Sequence, residues 1–236
     1  MIGSATRACR SGPCPRKRRP QNRALLPQRF AGRPAPTEGP PVWGDSHWGR
    51  NVVDDHHDQA GEAGNVEQTF GLILVRHAQA GDAVEFARTG QPDDLRPLTD
   101  QGVERMHLAA QGLARLLKGP TTLVSSPYTR ACQTADILAE YLPTTGPAEI
   151  NASLVPEAHP DSLDDALLQQ RAGRTLTLVG HEPHLSRLAG WLMTERPQSL
   201  VRMKKGGACA LQLNGPPRAG CATLHWLLTQ RQLRRL

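Results

Sequence analysis

Long apolar stretches are missing from this sequence. Nowhere do about 18 apolar residues run together, the length of a membrane-spanning helix. The start also lacks the roughly 7–15-residue apolar segment of a secretory signal. A membrane role is set aside on this ground, and a cytoplasmic location is the expectation. Cysteine is scarce: five in 236 residues, an odd number with no C-x-x-C pair. Cys9 and Cys14 stand near the start, while Cys132, Cys209 and Cys221 sit in apolar surroundings. That pattern speaks against a disulfide frame or a zinc site and for reduced, mostly buried thiols. From Met1 to Gln68 apolar runs are almost absent, and Pro, Gly, Arg and Asn take their place. The first 37 residues hold nine basic residues and no acidic one, Arg16-Lys17-Arg18-Arg19 among them. Phe30 is the single aromatic residue among these charges and no folded basic motif accompanies them, so the arm is read as a solvated tail rather than a nucleic-acid-binding element. Asp54 to Asp58 (D-D-H-H-D) is read the same way. Residues 1–68 are thus expected as a disordered extension, followed by one domain over 69–230 and a basic tail at 231–236.

From Thr69 onward apolar segments recur at regular spacing. Phe70 to Val75 (F-G-L-I-L-V) reads as a strand buried on both faces, as in a parallel sheet. Val103, Met106, Leu113, Leu116 and Leu117 follow helical spacing, with Thr99 as the N-cap of that helix. Thr122 to Val124 reads as the next strand. Ser126-Pro127 supplies a cap and a first-turn proline for a helix to about Leu142. Glu149 to Leu154 reads as a short strand, Asp161 to Arg171 as a helix, Leu176 to Val179 as a buried strand and Pro183 to Met193 as a helix. Ala208 to Leu213 and Ala222 to Leu228 alternate about a Gly-Pro-Pro turn and read as a closing β pair. The order predicts an α/β fold with a mixed, mainly parallel sheet and helices on both faces.

In such sheets ligands bind beyond the carboxyl ends of the strands. Arg76-His77 follows the first strand, Ser125-Ser126 the second with Arg130 one turn further, and Gly180-His181 the strand Leu176 to Val179. Two histidines and two arginines would meet beside helix N-termini, whose free N–H groups favour anions. A phosphoryl group in transfer spreads negative charge over three oxygens, and fixed guanidinium forks stabilise it there. The attacking nitrogen must be unprotonated, which histidine manages near neutral pH, the more so beside cations. Ser125 and Ser126 are read as caps, because no G-x-S-x-G elbow surrounds them. H-E-P-H at His181 to His184 is not H-E-x-x-H, so a zinc protease reading fails on spacing.

Four motifs then stand in order: L-V-R-H-A at Leu74 to Ala78, R-P-L-T at Arg96 to Thr99 with Gly102 after it, S-S-P-Y-T-R-A-C-Q-T-A at Ser125 to Ala135, and V-G-H-E-P at Val179 to Pro183. Together they resemble the histidine phosphatase superfamily, and within it the SixA-type phosphohistidine phosphatases, over roughly Phe70 to Leu228. Ala78 stands where the wider superfamily often has Gly, a mark of the SixA-like subgroup. The resemblance implies a phosphoglycerate mutase-like fold, with His77 as nucleophile and Arg76, Arg130 and His181 binding the phosphate. It further implies Arg96 as an additional pocket residue and no metal or cofactor. The stretch Leu142 to Leu163 is too brief for a large cap domain.

Glu182, directly after His181, and Glu157 in V-P-E are the rival candidates for a proton donor. An ester leaves as an alkoxide and needs such a donor; phosphohistidine leaves as an imidazole that carries its own proton. The absence of a clear third acidic motif favours phosphohistidine in a protein as substrate. Small phosphate esters or nucleotides are the alternative, and a non-catalytic phosphate-binding module is the more distant one. Lys204-Lys205 and Arg231 to Arg235 are read as exposed charge.

Overall fold

A computed structural model describes residues 69–117, 119–160, 175–214 and 218–236. The expected N-terminal extension with its basic arm, the helix over 161–171 and the Gly-Pro-Pro turn lie outside these residues. The described chain runs β1 (Thr69–Arg76), α1 (Ala83–Ala87), a 3-10 turn (Asp93–Leu95), α2 (Asp100–Leu116), β2 (Thr121–Ser125), α3 (Thr129–Ala139) and β3 (Glu149–Ile150). A second 3-10 turn (Ala152–Leu154), β4 (Thr175–Gly180), α4 (His184–Thr194), β5 (Ala208–Asn214), β6 (Ala222–Leu228) and α5 (Gln230–Leu233) complete it.

The six strands form one sheet in the order β3-β2-β4-β1-β5-β6. β3, β2, β4 and β1 run parallel, while β5 and β6 close the edge antiparallel. Leu72 and Leu74 of β1 point into one core with Leu185, Leu188 and Leu192 of α4. Ile73 and Val75, on the alternate face, join a second core with Met106 and Leu113 of α2 and Leu138 of α3. This two-sided burial is why β1 reads as an unbroken apolar run, and it puts helices on both faces as expected.

Thr99 caps α2 as the sequence predicts, its Oγ1 accepting from the Gly102 N–H at 3.0 Å. Gly102 is required for a second reason. A Cβ there would lie 2.1 Å from the Gln79 carbonyl oxygen, so only glycine lets α2 pack against the chain just past His77. The R-P-L-T-x-x-G pattern is in this sense a clamp on the strand that carries the site.

Three local expectations need correction. α3 starts at Thr129, not after Ser126. Ser126 stays in the sheet register, its N–H donating to Val179 O at 2.9 Å, and its hydroxyl is engaged with His181, so Tyr128 takes the cap position. The segment Glu149 to Leu154 is a strand for two residues only. Asn151 Oδ1 then accepts from the Ser153 N–H (2.8 Å) and hydroxyl (2.6 Å) and turns the chain into a 3-10 helix. The basic tail from 231 is part of the fold: a Thr229–Gln232 capping box opens α5, and Leu233 is fully buried against α2. Arg231, Arg234 and Arg235 remain exposed, as expected.

The close approach of α2 and α5 gives a stability prediction. A Cβ at Gly112 would lie 1.8 Å from the Leu233 carbonyl oxygen, and backbone cannot move aside cheaply. Gly112→Ala is expected to cost about 1–3 kcal/mol, read as a lower denaturant midpoint at unchanged slope.

Candidate active site

The carboxyl ends of β1, β4 and β2 lie side by side, Arg76 opposite Gly180 and Ser125 opposite Val179. His77 therefore emerges next to His181, and their ring centroids are 5.0 Å apart. The His77 backbone is held from two sides: its N–H donates to Gly180 O (3.0 Å), and its carbonyl accepts from the Gly206 N–H (3.0 Å). The side chain is 6% exposed, and its Nδ1 lies 2.7 Å from the Ala78 carbonyl. A carbonyl can only accept, so Nδ1 carries the hydrogen and Nε2 keeps its lone pair. Ala78 is itself fixed, its N–H donating to Thr134 Oγ1 at 3.1 Å.

Burial pushes the His77 imidazole down to about 3; the Ala78 carbonyl opposes this, and Arg130, Arg76 and Lys205 add to it. His181 falls to about 2, through burial first and then the charges of His77, Arg130, His184 and Arg76. Both rings are neutral at physiological pH. His181 Nε2 meets the Ser126 hydroxyl at 2.9 Å. With Ser126 donating, the His181 hydrogen sits on Nδ1, which is buried and unpartnered.

The two arginines repeat that pattern. Arg76 donates through one terminal nitrogen to Met203 O (2.9 Å), and its Nε is buried without a partner. Arg130, only 4% exposed, donates to the Asp93 carbonyl (2.7 Å) and carboxylate (3.1 Å), and its Nε is likewise unpartnered. Its guanidinium lies over the Tyr128 ring at 4.8 Å, and that ring meets His181 edge-on with centroids 5.0 Å apart. Three buried donors thus stand unsatisfied around two neutral imidazoles. An unmade buried hydrogen bond costs about 1–3 kcal/mol, and an anion carrying several acceptor oxygens would satisfy all three.

His77, His181, Arg76 and Arg130 are therefore brought together. The other candidates are not. Arg96 donates from Nε and a terminal nitrogen to the Asp93 carboxylate (2.7 and 3.3 Å) and from the other to Gly81 O (2.7 Å), so its fork is turned inward. Glu182 is bound to the Ser186 hydroxyl at 2.6 Å on α4, and burial pushes its carboxyl up against the opposing influence of Ser186 and Arg76. Glu157 is exposed and accepts from the Tyr128 hydroxyl at 3.2 Å. Asp93 escapes sequence reasoning, and Tyr128 and Thr134, though within the Ser125 to Ala135 motif, receive no role from it. The usable signals were faint: Asp93 three residues before Arg96 in a turn, and Thr134 one helical turn after Arg130.

His184, fully buried, is pushed down to about 4 by burial, with Arg187 and His159 adding to it. The folded values of His77, His181 and His184 all lie below the ordinary 6.5, so the unfolded chain binds these protons more tightly. Their stabilising contribution is fully present above pH 6.5 and is lost as pH falls toward 4 and below. The unfolding free energy, read from the denaturant midpoint, is expected to drop between pH 6.5 and pH 4.5, by on the order of 1 kcal/mol per histidine per pH unit. An unchanged midpoint over that interval would contradict the neutral, buried state of these rings.

Comparison with known proteins agrees with the fold. Residues 72–155 match the histidine phosphatase superfamily (branch 1). An uncharacterized protein of Picosynechococcus sp. (strain ATCC 27264 / PCC 7002 / PR-6) is 32% identical over 144 residues, 60% of this chain and 84% of the relative. The structure of the protein histidine phosphatase SixA complexed with tungstate superposes with a TM-score of 0.59 at 21% identity, over 70% of this chain and 99% of that one. A Nakamurella multipartitia protein bearing the SixA name gives 0.53 at 25% identity, over 72% and 97%. The family match over residues 72–155 supports the class, a phosphatase. The chain belongs to the histidine phosphatase superfamily.

Proposed function

We propose that this phosphatase removes the phosphoryl group from phosphohistidine on a protein, through a covalent intermediate on His77. The observation that carries the reading is the 2.7 Å contact of His77 Nδ1 with the Ala78 carbonyl, which leaves the Nε2 lone pair free beside three unfilled donors. In the first step that lone pair attacks phosphorus, and the P–N bond to the substrate breaks. The substrate ring, protonated on its other nitrogen, departs as neutral imidazole. In the second step water attacks phosphorus, the P–Nε2 bond breaks, and orthophosphate and neutral His77 are released. Arg76, Arg130 and His181 Nδ1 hold the three phosphoryl oxygens throughout. Splitting one transfer in two is the gain from covalent catalysis.

The largest charges acting on His77 are cationic, from Arg130, Arg76 and Lys205, while Glu182 Oε2 is engaged with Ser186 and Glu157 with Tyr128. A leaving group that brings its own proton suits such surroundings. One observation favours a second reading, hydrolysis of small esters: the Tyr128 hydroxyl and Glu157 form a donor pair whose aromatic ring touches His181. The two readings separate by experiment. The protein is incubated with a labelled phosphodonor, quenched in alkali and mapped; label on His77 is expected, and its absence there defeats the covalent step. Turnover of a phosphohistidine protein is then compared with that of sugar phosphates, before and after Glu157→Gln. Faster turnover of the esters, collapsing in Glu157→Gln, would overturn the substrate assignment.

A further inference from the structure

Arg130 is the most deeply buried cation of the site, yet its two terminal nitrogens do not face a vacant pocket. Both are held by Asp93: one donates to the Asp93 backbone carbonyl at 2.7 Å, the other to Oδ2 at 3.1 Å. Asp93 in turn is gripped from behind. Arg96 donates to both of its carboxylate oxygens, at 2.7 and 3.3 Å, and ties the assembly to the Gly81 carbonyl. The Asp93 carboxyl is held below its usual range, by the Arg96 hydrogen bond above all, so it stays ionised.

A guanidinium presents two useful edges. The end edge lies between the terminal nitrogens, and the side edge joins Nε–H to the nearer terminal N–H. Asp93 occupies the end edge of Arg130, which leaves the side edge, with its unpartnered buried Nε, for a ligand. The Tyr128 ring, 4.8 Å from the guanidinium carbon, fixes the plane in which that edge lies. We infer that Asp93 is the positioning residue of Arg130: its carboxylate and its own carbonyl clamp one edge of the guanidinium and so turn the other toward the phosphoryl group. This rests on the phosphate-site reading above and goes beyond it. It also gives Arg96 a task that does not require it to touch substrate, which is to hold Asp93.

Arg130 side-chain exposure is 5% and that of Asp93 52%. The clamp thus reaches from solvent into a nearly dry site, and misaligning a buried fork is costly for recognition. A displacement of about 1 Å can lower a rate on the order of 100-fold.

The experiment uses the full chain and orthophosphate as the probe, with affinity read by calorimetric titration. Asp93→Ala is expected to weaken orthophosphate binding by about 10- to 100-fold, Asp93→Asn less, and Arg96→Ala in the same direction. In an Arg130→Ala background, Asp93→Ala is expected to change affinity by less than about twofold, because the group it positions is gone. An equal loss in both backgrounds would mean that Asp93 acts on the fold or on another group, and the inference fails. Unchanged or tighter binding in Asp93→Ala overturns it too, since Asp93 would then be a bystander or a competing anion. Should the unaltered chain bind no orthophosphate, the phosphate-site reading falls first and the clamp with it.

Discussion

His77→Ala is expected to lower kcat by on the order of 10⁴-fold or more, with no label recovered on the protein after alkaline quench. Loss of a nucleophile removes the whole two-step path, and in other enzymes such losses reach about 10⁶-fold. His77→Asn sharpens the test. Its amide N–H can still donate to the Ala78 carbonyl, as Nδ1 does at 2.7 Å, but it carries no lone pair able to take phosphorus. The donors on Arg76, Arg130 and His181 remain in both variants. Orthophosphate affinity should therefore fall by less than tenfold while turnover vanishes, which separates binding from bond making. A kcat within about tenfold of the unaltered protein in either variant would mean that water attacks the substrate directly, and the covalent route would be abandoned.

The parts of this site that were legible in the sequence share one property: each stands next to a strand end. A short apolar run such as F-G-L-I-L-V, bounded by polar segments, reads as a two-sided buried strand, which puts Arg76 and His77 at its carboxyl end. The same holds for His181 after Thr175–Gly180, and for Ser126 after Thr121–Ser125. Backbone direction is written in hydrophobic period. Side-chain pairing is not. Asp93 and Arg130 are 37 positions apart, and no periodicity announces that one carboxylate will serve both Arg130 and Arg96. Ser126 looked like a helix cap because Ser-Pro ordinarily is one; what overrode local preference was a tertiary bond to His181, 55 positions away. The same override turned the last residues into a packed helix. Their charge pattern reads as tail, and the approach of the Leu233 backbone carbonyl to Gly112 cannot be inferred from either segment alone.

Arg130→Lys is the substitution that best separates geometry from charge. Lysine keeps one positive charge and nearly the same length, so a site working by net charge alone would lose less than about fivefold in orthophosphate affinity. The structure argues for far more. The guanidinium makes two bonds to Asp93, lies over the Tyr128 ring and still has Nε–H to offer, three tasks at once from one plane. An ammonium is a point donor with no second edge. If it stays with Asp93 it leaves the phosphoryl oxygen bare; if it turns to phosphate it strands a carbonyl and a carboxylate. Burial compounds this, because a desolvated lysine gives up its proton where arginine does not. kcat/KM is expected to fall by about 10²–10³-fold, the equivalent of roughly 2.7–4 kcal/mol for one preorganised donor. Raising the pH from 7 to 9 should deepen the loss in Arg130→Lys and leave the unaltered protein's Arg130 contribution intact. A loss of fivefold or less, constant with pH, would show that this pocket needs only a cation at that position and that the clamp on its edge is incidental.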